Sequence, residues 1–295
     1  MIGKIIVRSL YKKVLFYFIF IPTSFFIRFL APLLNKKITY KKLDLNCLND
    51  RSLLIISPHS DDETIGVGGL LQSLQKLNVN KNFILLSKNF VDSNLSERRF
   101  LEYKNSLDSI CPVYDSIYSL DYQDGELSRY GDLIESDLEK ILISREIDII
   151  FVCSVFDFHP DHRLSALIAL NLLKQGDIDK VIMYHTNHPI NFNFPIQIYS
   201  LSKKETEVKM KAFGFFLSQY HFCFSAFNEI SKFYSRFICS KSGYIETFIV
   251  VDRNNVEEVL ACYYAYKQTL EENDGNKSTI HPVKSLANIF FWLRS

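Results

Sequence analysis

Between residues 53 and 184, short apolar runs of strand length alternate with helix-length segments, and this alternation narrows the possible folds more than any other property of the chain. The pattern predicts strands at 53–57, 83–87, 116–120, 147–154 and 181–184, with helices at 64–77, 96–109, 133–144 and 163–174 between them. Strands separated by helices of this length need right-handed crossovers, so the expected fold is α/β, with a mostly parallel Rossmann-like sheet and helices on both faces. Beyond residue 184 the order loosens: His188-Pro189 and Phe194-Pro195 punctuate a loop, 203–219 reads as a helix, 244–251 as a strand and 256–270 as a helix. An aromatic-rich amphipathic segment, 282–294, closes the chain.

A chain of 295 residues, 47% of them hydrophobic, can bury one large core with appendages. A net charge of +1 provides no basic field for tracking phosphates, which excludes nucleic acid as the expected partner. Six cysteines without a Cys-x-x-Cys pair suit reduced thiols better than a disulfide scaffold or a thiolate zinc site. Residues 14–34 are apolar over about the length that crosses a bilayer but are interrupted by Pro22, Arg28 and Pro32. Lysines and arginines flank this stretch on both sides, so a helix lying at the interface competes with a spanning one. The expected division is therefore a membrane-associating segment at 1–42, a catalytic domain at 43–255 and a helical extension at 256–295.

Two polar clusters follow predicted strands. Pro58-His59-Ser60-Asp61-Asp62-Glu63 comes directly after 53–57, and His159-Pro160-Asp161-His162 after 147–154. Both sit where open α/β sheets place ligands, beyond the carboxyl ends of strands. A hydrolytic zinc site takes about three His or carboxylate ligands and leaves a position for water, and His59, Asp62 and His162 supply that set. Asp61 is then free to act as the general base. His159, protonated, is expected to stabilise an oxyanion or donate to a leaving nitrogen, with Asp161 holding its tautomer.

Taken singly, a loop Asp or His is more often a turn-former, and Asp61-Asp62 alone would serve as an N-cap with acidic first-turn residues. Two clusters that jointly complete a ligand set, with a base and an acid to spare, favour chemistry. Gly66, Gly68 and Gly69 follow carboxylates and do not fit a phosphate loop, so close helix-to-sheet packing explains them better. His185 and His188 read as capping or core residues, and nothing in their surroundings raises His221 or His281.

These residues resemble the PIG-L (LmbE-like) family of zinc-dependent N-acetylglucosaminyl deacetylases, whose hallmarks are a His-Pro-Asp-Asp-Glu loop and a later His-Pro-Asp-His loop. Softer likenesses are Arg99-Phe100-Leu101-Glu102, Asp121-Tyr122-Gln123-Asp124-Gly125 and the 209–219 segment ending in Ser-Gln. The resemblance implies zinc on His59, Asp62 and His162, Asp61 as base, His159 and Asp161 as an acid pair, and sugar contacts from Arg99 and Asp124. Ser60 stands where the family usually has Pro, which removes a stiffener but no ligand.

The activity expected is hydrolysis of the N-acetyl group of an amino sugar or glycoconjugate, with Zn2+ or another divalent metal such as Fe2+ as cofactor. The alternatives are a zinc amidase acting on another glycoside conjugate and a non-catalytic membrane partner in glycan assembly. The apolar segment places the expected enzyme on the cytoplasmic face of a membrane, with a soluble cytoplasmic protein as the alternative.

Overall fold

The computed structural model describes residues 39–88, 93–186, 190, 193–219, 224–239 and 243–273. Among these, eight strands form one sheet: β1 (Tyr40–Lys42), β2 (Arg51–Ser57), β3 (Val79–Lys88), β4 (Ser116–Gln123), β5 (Ile149–Cys153), β6 (Lys180–Tyr184), β7 (Ile196–Leu201) and β8 (Tyr244–Val251). The helices are α1 (Asp62–Leu74), α2 (Ser93–Ile110), α3 (Gly131–Arg145), α4 (Pro160–Gln175), α5 (Lys203–Ala212), α6 (Phe224–Cys239) and α7 (Val256–Asn273).

The order across the sheet is β1-β7-β8-β6-β5-β2-β3-β4. All pairings are parallel except those of β8, which runs antiparallel to both β6 and β7. The sheet is thus mixed, with the expected parallel half intact. Side chains alternate between two cores, as a pleated strand requires. Leu54, Ile56, Ile150 and Val152 join one core with α3, α4 and α7, while Leu53, Ile55 and Phe151 join the other with α1 and α2. Each such fully buried side chain contributes about 1.5–3 kcal/mol by leaving water.

The parallel half has a topological switch point. From β2 the chain crosses to β3, and from β5 it crosses to β6 in the opposite direction along the sheet, which parts the connections above the adjacent β2 and β5. A crevice at such a point receives the loops that follow both strands. The loops here carry the two polar clusters. α1 begins at Asp62 with Asp61 as N-cap; α4 begins at Pro160 with His159 as N-cap and ends at Gly176, whose φ of 95° favours glycine.

Close helix-to-sheet approach accounts for two of the three α1 glycines. A Cβ on Gly66 would overlap the Tyr184 ring, and one on Gly69 would sit 2.6 Å from Leu201, whereas Gly68 has ordinary room. α1 is also clamped by a buried ion pair. Glu246 of β8 accepts from the backbone N–H groups of Gly69 (2.7 Å) and Leu70 (2.9 Å), and buried Lys209 of α5 donates to the Ile65 carbonyl (2.7 Å) and to Glu246 (2.6 Å).

Several expected boundaries move. Tyr40–Lys42, counted with the N-terminal segment, pair with Ile196–Ile198 as an edge strand. The helix expected over 203–219 stops at Ala212 and continues as two short 3-10 turns, Phe213–Phe215 and Leu217–Gln219. The extension expected from residue 256 is not separate over its first part, because Val256, Val259, Leu260 and Tyr263 of α7 lie in the same core as α4. Segments 14–34 and 282–294, together with His188, His221 and His281, lie outside the described residues. Among the described residues, no helix is long and apolar enough to cross a membrane.

Candidate metal centre

The two loops converge above the switch point. His59 Nδ1 lies 3.2 Å from Asp62 Oδ2 and 3.1 Å from His162 Nε2, and His162 Nε2 lies 3.2 Å from Asp62 Oδ2. These three atoms form a nearly equilateral triangle. In a tetrahedral zinc site with bonds of 2.0–2.1 Å, the ligand atoms stand about 3.3–3.4 Å apart, so the donor set fits a divalent ion in both spacing and chemistry.

The far nitrogen of each histidine is backed by carboxylate. Asp157 Oδ2 sits 3.0 Å from His162 Nδ1 and also accepts from Thr186 Oγ1 at 3.1 Å. Asp161 Oδ2 and Asp124 Oδ1 sit 3.3 and 3.4 Å from His59 Nε2. Such partners fix the tautomer and leave Nδ1 of His59 and Nε2 of His162 free to share an ion. Two further donors stand nearby. His159 and Cys153 each belong to sets whose ligand atoms lie within 4.8 Å of one another. The Cys153 thiol is pushed up to about 12 by burial and by the charge of Asp62, which leaves it a poor ligand beside an ionised carboxylate.

Adjacent Asp61 and Asp62 differ sharply. Burial alone would raise Asp62, but His162 and His59 outweigh it and hold the carboxyl well below the usual range. Asp61 makes no capping hydrogen bond, and burial followed by repulsion from Asp62 pushes it up to about 7. A base poised near neutrality is what proton abstraction from water requires.

His159 and Asp161, expected as a protonated acid and the residue that holds it, stand in different surroundings. Burial, and then the positive charges of His59 and His162, lower His159 to about 4. The Asp161 carboxylate is committed elsewhere: it accepts from the Gly125 N–H (2.7 Å) and Leu127 N–H (3.2 Å) and faces His59. The backbone N–H of Asp161 donates to His159 Nδ1 at 3.3 Å, placing the proton of the neutral ring on Nε2.

Arg99 and Asp124 meet at the rim, where Arg99 Nη1 donates to Asp124 Oδ2 at 2.7 Å. Arg99 Nε is buried without a partner. His185 has the structural role expected of it, with Nδ1 3.0 Å from the Thr247 carbonyl and 3.1 Å from its hydroxyl. The sequence reading missed Asp157, Thr186 and Gln219. Asp157 had a usable signal, since it is an acidic residue between a strand end and a candidate ligand histidine. Gln219, whose Nε2 donates to Ser60 Oγ at 2.7 Å, was marked only as the end of the Ser-Gln likeness, with no role attached to it.

Residues 54–173 match the model of the PIG-L family, described as GlcNAc-PI de-N-acetylase. No curated protein sequence matches the chain. Among solved structures, N,N'-diacetylchitobiose deacetylase from Pyrococcus horikoshii is 21% identical with a TM-score of 0.57, over 78% of this chain and 92% of that one. The zinc-inhibited form of a teicoplanin deacetylase is 16% identical with a TM-score of 0.57, over 68% and 98%. A 4-carboxy-2-hydroxymuconate hydratase from Pseudomonas putida is 14% identical with a TM-score of 0.56, over 68% and 96%. At these identities the likenesses establish the shared fold. Because a hydratase matches as well as the deacetylases do, any reaction must be argued from the site.

Proposed function

Taking residues 54–173 as a PIG-L domain, we propose that the chain is a metal-dependent hydrolase that removes the acetyl group from an N-acetylated amino sugar or its glycoconjugate. The observation that carries this reading is the triangle of His59 Nδ1, Asp62 Oδ2 and His162 Nε2, with carboxylates behind both rings and Asp61 beside it. His59, Asp62 and His162 would hold the ion. Zinc or a similar divalent ion in that position supplies Lewis acidity, bringing the pKa of water toward about 7 and polarising an amide carbonyl.

The other tasks fall to side chains. Asp61 accepts a proton from the attacking water and returns it to the nitrogen as the carbon–nitrogen bond breaks, so that acetate and a free amine leave. Neutral His159 donates from Nε2 to the oxygen that gains charge, as a preorganised hydrogen bond rather than as an acid. Arg99 Nε, buried and unpartnered, and the Arg99–Asp124 pair face the demand for hydrogen-bonding a sugar. Two structural neighbours, deacetylases of N,N'-diacetylchitobiose and of teicoplanin, support this substrate class.

The direct test measures acetate release from free, nucleotide-linked and lipid-linked N-acetylhexosamines, with metal content determined on the same protein and on His162→Ala. The expected result is acetate from at least one member of the panel, about one divalent ion per parent chain, and loss of most of it in the variant. No acetate from any substrate, together with unchanged metal in His162→Ala, would overturn both the activity and the ligand set.

A further inference from the structure

The loop that carries Asp61 and Asp62 is a tight turn closed by a weak bond. The Asp62 N–H reaches back to the His59 carbonyl at 3.4 Å, which puts Ser60 at the second position of a four-residue turn and Asp61 at the third, with φ −126° and ψ −8°. The second position of such a turn favours proline, whose ring presets φ near −65°, and serine brings no such restraint. The hydroxyl of Ser60 supplies an external one. Gln219 Nε2 donates to Ser60 Oγ at 2.7 Å, 159 positions away, and both residues are buried.

Gln219 is itself held near the loop. It ends the 3-10 turn Leu217–Gln219, where the backbone N–H and hydroxyl of Ser218 bond Glu102 of α2 at 2.8 and 2.6 Å. The Gln219 N–H also bonds the Phe216 carbonyl at 3.2 Å. A braced side chain thus meets a turn whose other ties lie on either side of Ser60: the Asp62 carboxylate accepts from the His59 N–H at 2.9 Å, and the Pro58 carbonyl accepts from the Ser87 hydroxyl at 2.6 Å.

We propose that Gln219 is a positioning residue for the candidate catalytic loop: through Ser60 it fixes the turn that aims Asp61 and Asp62, in place of the restraint proline would give. The functional part of this inference rests on the deacetylase reading; the tether itself does not. The Ser60 N–H takes part in none of the backbone hydrogen bonds of the loop, so proline can stand there without removing one.

The test is a double-mutant cycle in the full chain. Gln219→Leu and Ser60→Ala are each made alone and together, and Gln219→Leu is repeated in a Ser60→Pro background. Hydrogen exchange of the 57–63 segment, measured on protein stripped of metal, reads the tether without substrate or ion. Both single variants are expected to speed exchange there by about tenfold, with no further change in the double variant, and Ser60→Pro is expected to suppress the effect of Gln219→Leu. On a substrate that the parent deacetylates, kcat is expected to fall toward the ~10²-fold that a misplacement of ~1 Å can cost, with KM little changed, and to recover in the proline background. If exchange is unaffected by both single variants, or Gln219→Leu costs as much with proline as with serine, Gln219 is not the positioning residue. A parent without acetate release but with the exchange pattern above would overturn the deacetylase reading and leave the tether standing.

Discussion

Asp61 and Asp62 are neighbours in sequence and share one buried loop, yet the surrounding charges give them opposite chemistry. Asp62 faces two imidazoles and stays ionised; Asp61 faces Asp62 and rises to about 7. Asp61→Asn keeps the shape of the loop but removes the base, so it should retain metal while turnover falls about 10²- to 10⁴-fold. Metal analysis beside acetate release checks this, and near-parental turnover would remove Asp61 from the mechanism. The pH profile follows with a definite sign. The ionised fraction of Asp61 grows as pH rises through about 7, so kcat/KM should climb below that point and level above it. His159, lowered to about 4, is already neutral across that range and contributes no alkaline fall. An alkaline limb that vanished in His159→Ala would reinstate the protonated acid. The convergence of His59, Asp62 and His162 beside Asp61 was legible because their types and spacing are those a metal site asks for. Asp157 and Gln219 were not read because they act through other residues, across distances that only folding creates.

Within α1, three glycines in four positions would be expected to weaken a helix by up to about 1 kcal/mol each relative to alanine. The structure separates them. Gly66→Ala would drive a methyl group into the Tyr184 ring and should destabilise by about 1–3 kcal/mol, whereas Gly68→Ala meets only ordinary contacts and should be neutral or stabilising by up to about 1 kcal/mol. Denaturant unfolding of both variants decides this, and equal effects would refute the packing account. β8 was readable to its ends, since every residue of 244–251 except Glu246 is a strand former. β7 escaped notice although Ile196 and Ile198 alternate with polar Gln197, because Phe194-Pro195 and the preceding His188-Pro189 suggested loop. The overlong helix at 203–219 reflects periodicity continued past Ala212 into 3-10 turns, where i and i+3 side chains still recur on one face.

At the scale of the whole molecule, one buried ion pair joins three elements that are far apart in sequence. Lys209 of α5 and Glu246 of β8 meet against the backbone of α1, the helix that begins at Asp62. Glu246→Ala would leave the lysine charge buried and two helix amides short of an acceptor, at a cost of about 3–5 kcal/mol. The midpoint of chemical denaturation should drop accordingly, and an unchanged midpoint would show the pair to be dispensable. The parallel half of the sheet and its switch point were legible because βα alternation admits few topologies. The other half was not, because β8 returns antiparallel and β7 lies outside it, an arrangement that follows no local pattern. β1 shows this most clearly, being three residues of Tyr-Lys-Lys with no strand signature, defined entirely by a partner at Ile196–Ile198. That pairing also sets a clock. During synthesis at about 5–20 residues per second, Lys42 emerges roughly eight to thirty seconds before its partner segment exists. The first of the described strands to be made is therefore among the last to be placed, held open until a segment more than a hundred and fifty residues later arrives to pair with it.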